Sequence, residues 1–263
     1  QFRNTANRSG VAEFTSDAAL YVAVFRFNST GAFTALDATP ASADANVLVR
    51  PLAHAADGNA FKTTVLLTNA SALPAPYTLR FNDDLGNVPA TRFELEAGSL
   101  TGTIPAGGSV TIRTAGLGPA TVNGWAELTA PNAVGGSVIY SQQTFLPSLQ
   151  EGTATIVAAG SQHFFLPFDN TAGAITGVAL TVPGPLAATN IQVTFRYSDG
   201  TSETASYPLL VSRNHQAFVL ASQFPNAANR SGVAEFTSNV PLSAVAFRFN
   251  STGAFTSFGI VAP

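Results

Sequence analysis

Along most of the chain, apolar and polar residues alternate one by one in runs of five to nine, broken by clusters of Gly, Pro, Asn, Asp and Ser. That is the pattern of antiparallel strands with one buried face. Over the last hundred residues it predicts strands near HFFLPF, ITGVALTV, IQVTFRYS, SETASYPL, HQAFVLA, GVAEFTS and LSAVAFRFN. Turns fall at PGP from Pro183, SDG from Ser198 and NST from Asn250. No segment carries a convincing 3.6-residue period, so helix content should be near zero.

Phase assigns faces. In GVAEFTS, Ala234 and Phe236 point to one side and Glu235 to the other; in the next run Val245, Phe247 and Phe249 oppose Ala246 and Arg248. Treating the two runs as a hairpin, the Phe side is expected to be the core. Ala12, Phe14, Ala23, Phe25 and Phe27 repeat this phase near the start, and Ala126, Leu128, Val138 and Tyr140 in the middle.

The chain repeats itself. Residues 1–36 match 223–258 at 25 of 36 positions, and Gly-x-Ala-Glu-x-Thr recurs from Gly10, Gly124 and Gly232. YTLRFNDDLG from Tyr77 answers VTFRYSDG from Val193, so the unit is about 110 residues long. Three parts follow: residues 1–40, the closing strands of a partial unit; 45–148, an immunoglobulin-like sandwich; and 160–263, a second sandwich that is the sister of 1–40. SLQEGTATIVAAGS is expected to link the two sandwiches, and LDATPASADA to be a moderately stiff joint. Residues 1–36 lack the front strands that would cover Phe14, Phe25 and Phe27. Either the polypeptide continues N-terminally as a tandem array, the favoured account, or strands of another molecule complete the half-sandwich.

Composition narrows the classes. Charged residues are 10% of 263, the formal net charge is −3 and Lys62 is the single lysine, so no basic stripe exists for nucleic acid. No apolar run is long enough for a membrane-spanning helix. With no cysteine there are no disulfides or thiolate sites, and one lysine serves at most one intramolecular isopeptide bond.

Candidate chemistry is sparse. Glu13, Glu127 and Glu235 are three of seven glutamates and occupy one repeat position. Recurrence in every unit favours cross-strand pairing with Arg26 and Arg248 over acid–base catalysis, with Ser141 in place of the arginine in the middle unit. His54, His163 and His215 show no metal-ligand spacing. Asn82, Asp83, Asp84 and Asn87, or Asp169 and Asn170, suit Asx-rich turns better than a calcium loop. No cofactor is expected. Trp125 is the only tryptophan, placed on an outer strand face, where it would cover an inter-domain contact or stack on a sugar. With Phe14, Phe25 and Phe27 it forms the expected assembly surface. Asn7, Asn28, Asn69, Asn229 and Asn250 head glycosylation triplets.

GVAEFTS followed by AFRFNSTGAFTSF, with HFFLPFDNTAG at the front of the unit, resembles poorly characterised β-sandwich tandem repeats of large secreted bacterial proteins. The resemblance implies an extracellular, immunoglobulin-like module and transfers no catalytic residues. The expectation is a non-enzymatic structural protein, secreted or at the cell surface, whose partners are copies of itself, with glycans as a second candidate: a filament, stalk or adhesive fibre. The alternative is a carbohydrate-binding or targeting module of a secreted enzyme.

Overall fold

The computed structural model describes residues 11–20, 22–27, 33–37, 44–89, 93–143, 149–157, 159–185, 189–207 and 213–260. A hairpin comes first: β1 (Ala23–Phe27) with β2 (Phe33–Asp37). Then come β3 (Val47–Asp57), β4 (Phe61–Asn69), β5 (Ala75–Asn82), β6 (Leu95–Ala97), β7 (Thr101–Ile104), β8 (Ser109–Thr114), β9 (Val122–Pro131), β10 (Val134–Gln143) and β11 (Leu149–Thr155). The last stretch holds β12 (Ser161–Asp169), β13 (Ile175–Thr181), β14 (Ile191–Tyr197), β15 (Ser202–Tyr207), β16 (His215–Val219), β17 (Ser231–Phe249) and β18 (Phe255–Gly259). Among the described residues the helical elements are a four-residue α1 (Leu220–Gln223) and a 3-10 turn (Pro225–Ala227). The fold is all-β, and every strand pair is antiparallel.

The middle stretch forms two sheets, ordered β3-β9-β5-β7 and β11-β10-β4-β8-β6. The last stretch has the same plan: β12, the first half of β17, β14 and β15 in one sheet, and β18, the second half of β17, β13 and β16 in the other. Counting strands along either unit, with the middle unit's short extra edge strand β6 left out, one pairs with six, six with three and three with four, while eight pairs with seven, seven with two and two with five. The two-to-five and three-to-six pairings are those of an immunoglobulin sandwich. Strands one and seven instead sit beside six and two.

Two expectations need correction. The stretch around Gln150 is no linker: Leu149–Thr155 is β11, an edge strand of the middle unit. Nor do GVAEFTS and AVAFRFN form a hairpin. They are the two halves of β17, one 19-residue strand that leaves one sheet and enters the other near Pro241. A continuous strand keeps one phase. Ala234, Phe236, Leu242, Ala244 and Ala246 therefore fill the core of the last unit with Phe164, Leu166, Val178, Leu180, Val193 and Phe195. Val245 and Phe247 point the opposite way, out of that core.

The opening hairpin repeats the closing one in register. Phe25 pairs with Ala35 and Phe27 with Phe33, as Phe247 pairs with Ser257 and Phe249 with Phe255. Residues 11–20, by contrast, form no strand, although VAEFTS there is identical to the letters that begin β17. In β17 that segment lies between β12 and β14. Strand formation here depends on neighbours more than on propensity.

Candidate functional site at the junction of the two units

The outward face of β17 meets the middle unit. Val245, Phe247 and Phe255, together with Ala179 of β13, belong to the same apolar cluster as Leu52, Val65, Leu79, Leu128, Val138 and Tyr140. β13, β16 and β17 pack on β3, and β18 packs on β11. The sheet carrying β13 and the second half of β17 is thus apolar on both faces, one for each unit. The Phe247 ring stands edge-on to Tyr140 at 5.0 Å and to His54 at 5.8 Å, and lies 6.0 Å from Phe255. Phe247 and Phe255 are each 8% exposed. Ala56, Phe61 and Lys62 border, with Phe249 and Phe255, a small cavity at this seat.

Polar links cross the same junction. The Thr181 hydroxyl donates to the Ala53 carbonyl at 2.8 Å, and the Ser257 hydroxyl to the Thr153 carbonyl at 2.6 Å. Gly152 makes the second link attainable, since a Cβ there would lie 2.7 Å from the Ser257 hydroxyl and 2.9 Å from its amide nitrogen. The amides of Asn214 and His215 both donate to the Asp84 carbonyl, at 2.7 and 3.2 Å.

Within this junction two histidines from different units stack. His54 Nδ1 and His215 Nε2 are 3.2 Å apart, and His215 Nδ1 lies 2.8 Å from Asp84 Oδ1. A carboxylate accepts only, so His215 Nδ1 carries the proton facing Asp84. Nε2 of a neutral His215 then accepts from His54 Nδ1. Burial, with the nearby His215 second, lowers the pKa of His54 to about 3. The Tyr140 hydroxyl donates to the His54 carbonyl at 3.1 Å, and burial pushes that phenol up. The chain Asp84–His215–His54 is therefore a hydrogen-bonded tie between sandwiches.

Trp125 anchors it. The indole is 2% exposed, against the expectation of an outer-face position open to a partner, and its Nε1 donates to the Asp83 carbonyl at 3.0 Å. It thereby holds the loop whose next residue is Asp84. Within the same loop the Asp83 carboxylate accepts from the amides of Leu85 and Asn87, as in an Asx turn. Trp125→Phe, which deletes the indole N–H and part of its volume, should cost about 1–3 kcal/mol. Urea unfolding followed by circular dichroism checks this, since the chain's single tryptophan is lost.

The glutamate pairs differ from expectation. Because β17 makes no hairpin, Arg248 does not face Glu235. Glu235 is bonded by His163 Nε2 at 2.8 Å and by Arg196, and these two, in that order, lower its pKa. Arg248 pairs with Asp169 at 2.7 Å, whose carboxyl is brought down to about 2 by the Thr171 hydroxyl and amide and then by Arg248. Arg26 pairs with Glu151 of β11 instead of Glu13, which is exposed. Glu127 stands opposite Arg80 in the β5–β9 register. Asn170 spends its amide on the Ala227 carbonyl and its oxygen on the Thr176 amide, and Lys62 pairs with Glu96.

Among the glycosylation triplets, Asn69 is 1% exposed and its amide donates to the carbonyls of Leu73, Ile104 and Pro105, which closes it to a glycan in the folded chain. Asn229 and Asn250 are exposed. Asn7 and Asn28 lie outside the described residues. Phe14, Phe25, Phe27 and also Phe33 are exposed, at 52%, 54%, 67% and 62%. Sequence inspection missed the tie between His54 and His215, because 161 positions separate them in two different units. It also missed Arg50, buried in β3 and donating to the carbonyls of Pro131 and Val134 at the β9–β10 turn.

No family model and no curated protein matches the chain. Among solved structures, a serine-rich repeat protein (Srr2) from Streptococcus agalactiae aligns over 84% of this chain and 82% of that one, at 10% identity and a TM-score of 0.19. So slight a likeness carries neither fold nor function.

Proposed function

We propose that the chain is a structural protein, built from repeated sandwiches that dock face to face into a stiff extracellular filament, stalk or adhesive fibre. The observation that carries this is the junction: an outward aromatic face, Phe247 with Phe255, is buried against the preceding unit and tied there by Asp84, His215 and His54. Independent domains on a flexible tether would keep such faces polar. A chain with only 10% charged residues can bury unit against unit without desolvating many ions. The repetition of the closing hairpin at the start of the chain, in the same register, supports an assembly in which this contact recurs.

The carbohydrate-binding alternative relied on Trp125 and outer-face aromatics as a stacking platform, and of these the Trp125 ring is buried. Electron microscopy of the native material tests the assembly. Fibres with an axial period of two units are expected; discrete particles would refute it.

A further inference from the structure

Three phenylalanines of the opening hairpin are arranged like their sisters in the closing one. Phe25 and Phe33 meet edge-on with centroids 5.8 Å apart and Phe27 lies 5.6 Å from Phe33, compared with 6.0 Å for Phe247–Phe255 and 5.4 Å for Phe249–Phe255. The back of this hairpin is already mounted. Thr34 is buried, Arg26 pairs with Glu151, and the Thr153 hydroxyl donates to the Ala35 carbonyl, so the hairpin lies against β11. Its Phe side is left outward. Phe25 and Phe33 are 54% and 62% exposed where Phe247 and Phe255 are each 8% exposed.

We propose that β1–β2 is a docking plug, and that its occupant is the His54–Tyr140 face of the 45–148 unit in a second copy of the chain. The basis is internal to the molecule. Phe247, Phe249 and Phe255, the register counterparts of Phe25, Phe27 and Phe33, already stand against a face that carries His54, Ala56, Phe61, Lys62 and Tyr140, with a small cavity between the two. A seat that accepts Phe247, Phe249 and Phe255 accepts Phe25, Phe27 and Phe33, because the residues and their spacing are identical. Each copy thus carries two plugs and one seat. The tethered plug occupies the seat first because of its high effective concentration, and since its strand β17 is built into the core of the last unit, the second plug reaches the seat only when that whole unit undocks from the 45–148 unit.

This rests on the assembly described above and names its contact, and it has its own readout. The surface variant Phe25→Ala/Phe27→Ala/Phe33→Ala removes exposed rings only, so its fold is retained. Sedimentation velocity should show the wild-type chain moving toward a doubled mass as concentration rises, while this variant stays monomeric. Identical sedimentation of the two chains overturns the proposal.

The seat is then located. Phe255→Ala, which loosens the tethered plug, should tighten association by roughly tenfold, and no change would overturn the assignment of the seat. Since the chain has no cysteine, a Phe27→Cys chain mixed with a Lys62→Cys/Phe255→Ala chain should give a disulfide-linked heterodimer in excess of either homodimer. A predominant Phe27→Cys homodimer would mean that the Phe faces pair with each other, and would also overturn it. Exchange opens the contact between units in the copies that form it; a result that overturns exchange leaves that contact in place, and electron microscopy reads it separately.

Discussion

Phe247→Ala should destabilise the chain by about 3–5 kcal/mol, whereas Phe25→Ala, at the matching position of the repeat, should change stability by no more than about 0.5 kcal/mol. The two side chains share the sequence FRF and the same cross-strand register. They differ in cover alone. Phe247 packs against Tyr140, His54 and Phe255, so its removal opens a cavity at the seam of two units and also deprives Tyr140 of its edge-on partner. Phe25 is 54% exposed and touches Phe33. Urea unfolding of the two variants beside wild type measures the contrast at once. If Phe247→Ala proved as mild as Phe25→Ala, the shared core of the two units would not be a source of stability.

The same pair of residues shows how far a sequence can be followed. Alternation located β12 to β17 of the last unit, though not β18, because one face of nearly every strand is buried, and a period of two survives wherever that holds. It also placed Phe236 in the core, where it stacks on Phe164 at 5.0 Å. What alternation could not supply was continuity through Asn239–Leu242. Pro241 reads as a turn residue, and a turn resets phase; the strand instead bends from one sheet into the other and keeps it. The Phe face was therefore legible as a buried face, but its owner was not, since apolar burial against a neighbour and burial in one's own core look alike in one dimension. The Asp84–His215–His54 tie was illegible for a related reason. Its members come from three strands or loops of two units, and no short spacing records a contact between units. Trp125 was expected to serve a contact between units. It is instead buried within its own unit, where it fixes the Asp83–Asp84 loop.

Lowering the pH from 7.5 to 5 should remove about 2 kcal/mol of stability through His54. In the unfolded chain this imidazole titrates near its ordinary value of 6.5; in the folded chain burial, and then the neighbouring His215, lower it to about 3. Between those values the unfolded state binds the proton and the folded state does not. Stability therefore rises with pH through this window: the contribution is complete above about 6.5 and is lost at roughly 1.4 kcal/mol per unit as pH falls toward about 3. The groups around the ring do not reverse this sign. His215 of β16 stacks on it, and Tyr140 of β10 and Lys62 of β4 line the same seat. The Asp84 carboxylate is bonded to His215 and paired with Arg213, one residue removed from His54. His54→Gln, which keeps a polar partner for His215 Nε2 but does not titrate, should flatten the dependence between pH 7.5 and 5 by the same 2 kcal/mol or so. Chemical denaturation of both chains across this range decides it. A wild-type midpoint as pH-sensitive as that of His54→Gln would show that the proton is taken up elsewhere. A loss confined to the wild type would place it at the seam, where acid then loosens one unit from the next.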